Sequence, residues 1–299
     1  MHHECKLSII TVNYNGYKDT CALIDSIPSS ADTEIIVVDN ASRQDEATML
    51  AQRYPHIIVL RSQHNLGFAG GNNLGIQAAH GRYLYFVNND TELPPAWNAD
   101  ALTSRLESDP HIAAVCPKIR FFWDERPIQF SGYTPLSRLT LRNRSIGFGQ
   151  PDRGQYDQPH PTPYVHGAAM MVRRTALERT GPMPECFFLY YEELDWSLMF
   201  RRAGYTLWYD PASTIYHKES QTTGQASPLR TYYITRNRLL FARRNIALPL
   251  RLLTYTWLIG AVALRDLLRY TLQRRPDLRR AMLAGLSDFI RGRQGSKPA

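Results

Sequence analysis

Cysteine is scarce in this chain. The four present (Cys5, Cys21, Cys116 and Cys186) are scattered over 299 residues with no C-x-x-C pair. That spacing excludes a disulfide-dense scaffold, gives no basis for a structural zinc site and favours a reducing compartment. No long apolar run follows a basic start: the N-terminus reads "MHHECKLSII", so no secretory signal is expected and the chain is expected to stay in the cytoplasm. The uncharged stretch "LLTYTWLIGAVAL" (Leu252 to Leu264) falls short of the roughly 20 apolar residues that a bilayer span needs. No basic strip is interleaved with stacking aromatics, which speaks against nucleic acid as a partner. A G-x-G-x-x-G fingerprint and a P-loop lysine are also missing, as are internal repeats and low-complexity segments.

What is present is an ordinary globular composition, 43% hydrophobic and 21% charged, with a net charge of +8. The charge is placed unevenly. From Arg230 onward lie fifteen of the 35 Lys/Arg and three of the 27 Asp/Glu, a balance of +12, which leaves −4 for residues 1–229. A basic tail on a mildly acidic body suits a polyanion. Apolar segments bracketed by Arg251 and Arg265, with Tyr255 and Trp257 inside, read as helices lying in a membrane interface. The competing reading is a core-packing helix pair with a solvated basic face.

The first hundred residues alternate. "LSIITV" (Leu7 to Val12), "EIIVV" (Glu34 to Val38), "HIIVL" (His56 to Leu60) and "YLYFV" (Tyr83 to Val87) read as strands. Helices are predicted over Tyr17 to Ile27, Arg43 to Tyr54 and Gly71 to Ala79. Apolar strands alternating with helices predict an α/β fold, a mainly parallel sheet covered on both faces, with ligands beyond the C-terminal strand ends. Those ends carry polar clusters: Asn13-Tyr14-Asn15, Asp39-Asn40 and Asn88-Asn89-Asp90. Arg120 to Pro163 lacks periodicity and reads as a long, partly ordered excursion over the substrate site. A strand follows from Tyr164, a helix over "EELDWSLMFRRAGY", and two short strands, "TLWYD" and "STIYH".

Asp39 has two readings: acceptor of a nucleobase imide or guanine N–H, or cap of the helix near Arg43. "NLGFAGGNN" (Asn65 to Asn73) offers close backbone approach and a helix N-terminus to an anion, or simply tight helix packing. Asn88, Asn89 and Asp90 supply one carboxylate and two amides, too few to cage a metal alone but suited to Mg²⁺ or Mn²⁺ already on a diphosphate. His217 is a candidate second ligand. Glu192, Glu193 and Asp195 either favour a helix dipole or include a general base. Helical geometry puts Glu192 and Asp195 on one face and Glu193 roughly 100° away.

The pieces "LSIITVNYNG", "IIVVDNAS", "NLGFAGGNN", "YLYFVNNDTEL", "GAAMMVRR", "FFLYYEELDWSLMFRRAGY" and "YYITRNRLLFARRN", in this order, resemble glycosyltransferase family 2, particularly its bacterial rhamnosyltransferase-like members. The resemblance implies a GT-A fold and an inverting transfer from a nucleotide-diphospho-sugar, with dTDP-rhamnose the donor it points to. It implies that Asp39 binds the base, with Thr11 and Asn13 near the nucleotide. Asn65, Gly70, Gly71 and Asn72 would line the donor pocket with Asn88 and Asn89. Asp90 and His217 would hold the divalent cation, and Glu193 would be the base, with Glu192 or Asp195 as alternatives. "NND" replaces the family's D-x-D, and "EE" replaces its usual Glu-Asp. The acceptor would be a saccharide or lipid-linked saccharide. The implied division is a catalytic domain, 1–229 (a nucleotide-sugar half, 1–115, and an acceptor half, 116–229), and a basic helical tail, 230–299, on the inner face of the membrane. A metal-dependent nucleotidyltransferase or a non-catalytic nucleotide-sugar or membrane-binding module is the alternative.

Overall fold

In the computed structural model, residues 5–95, 97–123, 125–218 and 227–297 are described. Four apolar runs become β1 (Leu7–Asn13), β2 (Thr33–Asp39), β3 (Ile58–Arg61) and β4 (Tyr83–Val87), paired in parallel in the order β3-β2-β1-β4. Ile9, Ile10, Leu84 and Phe86 are wholly buried, as expected of strands covered on both faces. The crossovers are α1 (Tyr17–Ser26), α2 (Glu46–Arg53) and α3 (Gly67–Ala78). α2 starts three residues later than Arg43 because Asp45 caps it, accepting from the Thr48 N–H at 3.3 Å. Asp39 is therefore not its cap. α3 starts four residues earlier than Gly71, so Gly70, Gly71 and Asn72 are helical rather than loop. Its glycines let the helix lie against β1: a β-carbon at Gly75 would come within 2.5 Å of Ile10, and one at Gly71 within 2.9 Å of Val12.

Beyond β4 the sheet becomes mixed. β9 (Ala169–Arg173) runs antiparallel between β4 and β6 (Ile112–Phe121), and β10 (Thr206–His217) runs parallel to β6. The two short strands expected here are one strand. A register shift between Asp210 and Thr214 absorbs Pro211, which has no N–H to give a ladder. β5 (Thr91–Glu92) closes the edge, antiparallel to β10. α4 (Ala99–Glu107) and α5 (Arg174–Thr180) complete this part of the sheet's helices together with α6 (Glu192–Arg202).

The excursion after Arg120 is ordered where it is described. β7 (Ile128–Phe130) pairs with β6, and β8 (His160–Pro161) pairs with β10. The buried Lys118 ammonium pairs with the carboxylates of Asp152 and Asp157.

α7 (Pro228–Asn245) buries Tyr232, Arg236, Asn237, Leu240 and Phe241 against the body, so position 230 lies inside a packed helix. α8 (Leu248–Tyr255), a π-helical stretch (Thr256–Ala263) and α9 (Leu264–Leu272) follow one another directly, and α10 (Pro276–Ile290) packs along α7. A β-carbon at Gly285 would lie 2.7 Å from the Tyr232 carbonyl oxygen, which measures how close α10 and α7 come. Among the described residues, no helix is long and apolar enough to cross a membrane.

Candidate active site

The polar end of β4 and the end of β10 are brought together by sheet pairing. Immediately after Asp90 the chain enters β5, where Thr91 pairs with His217. As a result, Asp90 Oδ1 lies 3.2 Å from His217 Nε2, with the Asn88 amide nitrogen 3.4 Å from that same nitrogen. His217 Nδ1 is 2.8 Å from Gln129 Oε1 on β7. With Nδ1–H donating to Gln129, the other ring nitrogen keeps its lone pair toward the carboxylate. Asp90 Oδ2 is buried without a hydrogen-bond partner among the described residues. A buried carboxylate oxygen with no donor costs free energy unless a cation or donor meets it.

Asn88, Asn89 and Asp90 line a cavity of about 530 Å³ together with Asn40, Asn65 and Asn72. Asn40 holds that wall: its Oδ1 accepts from the Leu66 N–H at 2.8 Å, and its Nδ2 donates to the Gly67 carbonyl at 3.1 Å. Gly67 has φ of +73°, and a β-carbon there would strike the Phe188 carbonyl oxygen at 2.2 Å. Asn89 donates to Thr20 Oγ1 at 3.0 Å.

Thr11, Asn13 and Asp39 are wholly buried and do not line the cavity. Asn13 Nδ2 donates to Asp39 Oδ1 and Glu46 Oε2, both at 2.8 Å, and its Oδ1 accepts from Thr20 Oγ1 at 2.7 Å. This network fixes the tips of β1 and β2 to the start of α2. Gly70 and Gly71 sit within α3, where their bareness serves packing.

The sequence reading missed several cavity residues. Trp123, from the excursion, and Phe188 supply aromatic surface, and Lys218 supplies a cation whose Nζ donates to Asp19 Oδ1 at 2.9 Å. Lys218 had a sequence signal, since it follows His217. Gln129 and Trp123 had none, because they lie in an aperiodic segment.

The three acids of α6 separate as helical spacing requires. Asp195 is buried and accepts from Arg244 Nη2 at 2.9 Å and from the Asn245 side chain, so it anchors α7. Glu192 is 3% exposed, and its Oε2 has no hydrogen-bond partner among the described residues. Burial, and then the charge of Glu193, push the Glu192 carboxyl up to about 8. Glu193 is partly exposed and is raised as well, by desolvation. A β-carbon at Gly167 would lie 3.9 Å from Glu193 Cγ and 3.8 Å from the ring of Phe68, a cavity residue. The next residue, Ala168, accepts from the Asn88 N–H at 2.9 Å. Glu193 thus lies beside Gly167, the residue before the carbonyl that pairs with Asn88, and outside the cavity lining itself.

The turn leading into α6 is strained: Phe188, Tyr190 and Tyr191 have φ of +68°, +69° and +81°. Non-glycine residues hold such angles only where surroundings over-determine them. Here α7 does so. Asn237 Nδ2 lies 2.7 Å from the Leu189 carbonyl and 3.0 Å from that of Tyr190, Arg236 Nη2 donates to the Phe187 carbonyl at 2.8 Å, and Arg238 Nε donates to Tyr191 Oη at 2.8 Å.

The family model described as Glycosyl transferase family 2 matches residues 8–181. The chain belongs to that family. This glycosyltransferase is 27% identical over 257 residues (84% of this chain, 80% of the relative) to the low-salt glycan biosynthesis hexosyltransferase Agl10 of Haloferax volcanii. It is 24% identical over 220 residues (67% and 71%) to the N-acetylglucosaminyl-diphospho-decaprenol L-rhamnosyltransferase of Mycobacterium tuberculosis. Among solved structures, GalNAc-T7 with UDP, GalNAc and Mn²⁺ matches with a TM-score of 0.63 at 15% identity, covering 90% of this chain and 59% of that one. The mannosyltransferase PcManGT of Pyrobaculum calidifontis, in complex with GDP-Man and Mn²⁺, matches at 0.54 and 18%, covering 98% and 76%. The glycosyltransferase thus has the GT-A fold expected from its sequence, with C-terminal helices added.

Proposed function

We propose that this glycosyltransferase moves a sugar, with inversion, from a nucleotide-diphospho-sugar to a hydroxyl of a saccharide or lipid-linked saccharide. The observation that carries the reading is the buried Asp90 carboxylate on an amide-lined cavity, with Oδ1 3.2 Å from His217 Nε2 and Oδ2 without a hydrogen-bond partner among the described residues. One carboxylate and one imidazole fit a divalent cation whose remaining ligands come from a diphosphate; no group of three or more His, Cys, Asp or Glu suited to a metal exists among the described residues. Bound there, Mg²⁺ or Mn²⁺ would neutralise charge on the departing diphosphate. Gln129 orients His217, Asn88 and Asn89 face the diphosphate, and Lys218 adds positive charge. Asn40, Asn65 and Asn72 face the rest of the donor.

Glu193 is the base in this reading. Glu192 is too enclosed to meet an acceptor, and Asp195 is engaged by Arg244. The acceptor hydroxyl gives its proton to the Glu193 carboxylate as its oxygen bonds the anomeric carbon. The bond from that carbon to the phosphate oxygen breaks on the opposite face, and its electron pair leaves with the nucleoside diphosphate. The donor we favour is dTDP-rhamnose, supported by the likeness to the mycobacterial rhamnosyltransferase. A thermal-shift screen of dTDP-, UDP- and GDP-sugars with and without Mn²⁺, followed by product analysis, tests this. Release of nucleoside diphosphate with sugar transfer is expected. Release of pyrophosphate, or donor binding without transfer to any acceptor, would overturn it.

Peripheral attachment to an anionic membrane from the cytoplasmic side belongs to the same reading. Leu252, Leu264, Leu268 and Leu272 are 58%, 56%, 58% and 84% exposed, an unusual apolar face for a water-facing helix. Deleting residue 230 onward would strip α7 from the core, so point changes are the cleaner probe. Leu264→Ser, Leu268→Ser and Leu272→Ser together should abolish flotation with phosphatidylglycerol vesicles while leaving the melting temperature within a few degrees; undiminished flotation would refute the attachment.

A further inference from the structure

Apart from the donor cleft, α7, the Leu248-to-Leu272 helices and α10 enclose a cavity of about 590 Å³. Among the described residues, six arginines line it (Arg142, Arg230, Arg238, Arg265, Arg269 and Arg275) against one acidic lining residue, Asp266. Some are partnered. Asp266 Oδ1 is 2.8 Å from Arg265 and 3.4 Å from Arg269, Asp277 takes Arg275 at 2.7 Å, and Arg238 bonds Tyr191. Among the described residues, Asp266 and Asp277 meet three of these guanidinium groups and Arg238 meets a phenol, and Arg230 is engaged as well. Desolvation, and then the charges of Arg238 and Arg265, lower the pKa of Arg142 from its ordinary value, with Tyr191 and Asp266 opposing them, as burial beside like charges does. The rest of the wall is apolar, with Leu239, Leu258 and Leu278 buried in it. Arg265, Arg269 and Gln273 border both this cavity and the exposed patch of Leu264, Leu268 and Leu272.

A soluble anion would need no apolar wall, and a neutral lipid would need no arginines. Guanidinium forks suit phosphate oxygens, and the adjoining leucines suit a hydrocarbon chain. The cavity also lies next to the chemistry. Leu229 lines the donor cavity and Arg230 lines this one, while Tyr191, held by Arg238, directly precedes Glu192. We propose that this cavity binds the phosphate or diphosphate head of a lipid-linked acceptor, leaving its saccharide to reach α6. The assignment rests on the lipid-linked acceptor within the proposed function.

Farnesyl diphosphate is a suitable probe, with farnesol and inorganic pyrophosphate as its separated halves, titrated calorimetrically into the full chain in EDTA. Arg142→Gln with Arg265→Gln should weaken farnesyl diphosphate binding about tenfold or more, the loss expected when charge-assisted bonds to phosphate are removed. Nucleoside diphosphate binding in Mn²⁺ should be unchanged in this variant, and Asp90→Ala should still bind farnesyl diphosphate. Equal affinity in wild type and the double variant, no binding by folded wild type, or farnesol binding as tightly as its diphosphate would overturn the proposal. Pyrophosphate binding as tightly as farnesyl diphosphate would also overturn it, reducing the cavity to a soluble-anion site. Should the wild type bind farnesyl diphosphate as expected but no nucleoside diphosphate, the donor reading fails and the lipid site stands.

Discussion

The proposed mechanism uses two carboxylate stations built in opposite ways, Asp90 in the lining of the donor cavity and Glu193 on α6 outside that lining. Asp90 stands at the tip of a buried strand, positioned by backbone pairing of β5 with β10 and faced by an imidazole that Gln129 orients. Glu193 stands on the first turn of a helix entered through three residues of positive φ, and its position depends on side chains of α7 some fifty residues later. In the proposed function the first station would present acceptor atoms to a cation. The second stores a raised proton affinity beside another carboxyl. In the proposed mechanism, charge stabilisation would therefore rest on the sheet, and proton transfer on a strained turn that needs an external clamp.

Removing the first station should have the largest effect. Asp90→Ala is expected to lower kcat at least about 100-fold, the size seen when a group stabilising developing charge is lost. Steady-state rates at saturating donor and Mn²⁺ measure it, and near-normal turnover would remove Asp90 from the mechanism.

Breaking the clamp tests the second station without touching an acid. Asn237→Ala leaves the Leu189 and Tyr190 carbonyls without their donor, at a cost of about 1–3 kcal/mol. Because the turn aims α6, kcat should fall about tenfold or more through misplacement of the base, with cation binding at Asp90 unchanged. Equal loss of cation binding would mean that the stations are not separately built.

The sheet that carries the cavity was largely legible in the sequence because local rules govern it, whereas Thr11, Asn13, Asp39, Gly70 and Gly71, expected at the donor, lie outside the cavity lining. Apolar β-branched runs gave four strands within two residues of their ends, and polar residues at those ends pointed to Asp90. His217 was a candidate ligand from its place at a strand end, but only the family resemblance paired it with Asp90, since nothing local marks a histidine 127 positions away as a neighbour. The acceptor side was less legible. Gln129 and Trp123 come from a segment without periodicity, where tertiary contacts decide the structure. The basic residues after Arg230 read as one tail, yet Arg236 is wholly buried, Arg244 pairs with Asp195, and Arg265 and Arg269 face a cavity. Charge counts cannot distinguish these fates; only the partner that each guanidinium meets does.

The smallest expected effect is the most specific to the second station. Glu192→Gln keeps the side chain's size and removes one of two neighbouring carboxyls, leaving Glu193 to titrate alone. A base works deprotonated, so kcat/KM should rise with pH until the pair's shared proton is lost. Without the second carboxyl that rise should move to lower pH by about one unit. Stability gives an independent reading of the sign. With the folded-state value of Glu192 raised from 4.5 to about 8, the native state holds a proton that the unfolded chain has released. Its contribution is therefore complete below pH 4.5 and disappears as pH rises through 8. Melting temperatures across that window should fall more steeply in wild type than in Glu192→Gln. Parallel curves in both measurements would mean that the two glutamates titrate independently and that Glu192 does not set the proton affinity of Glu193.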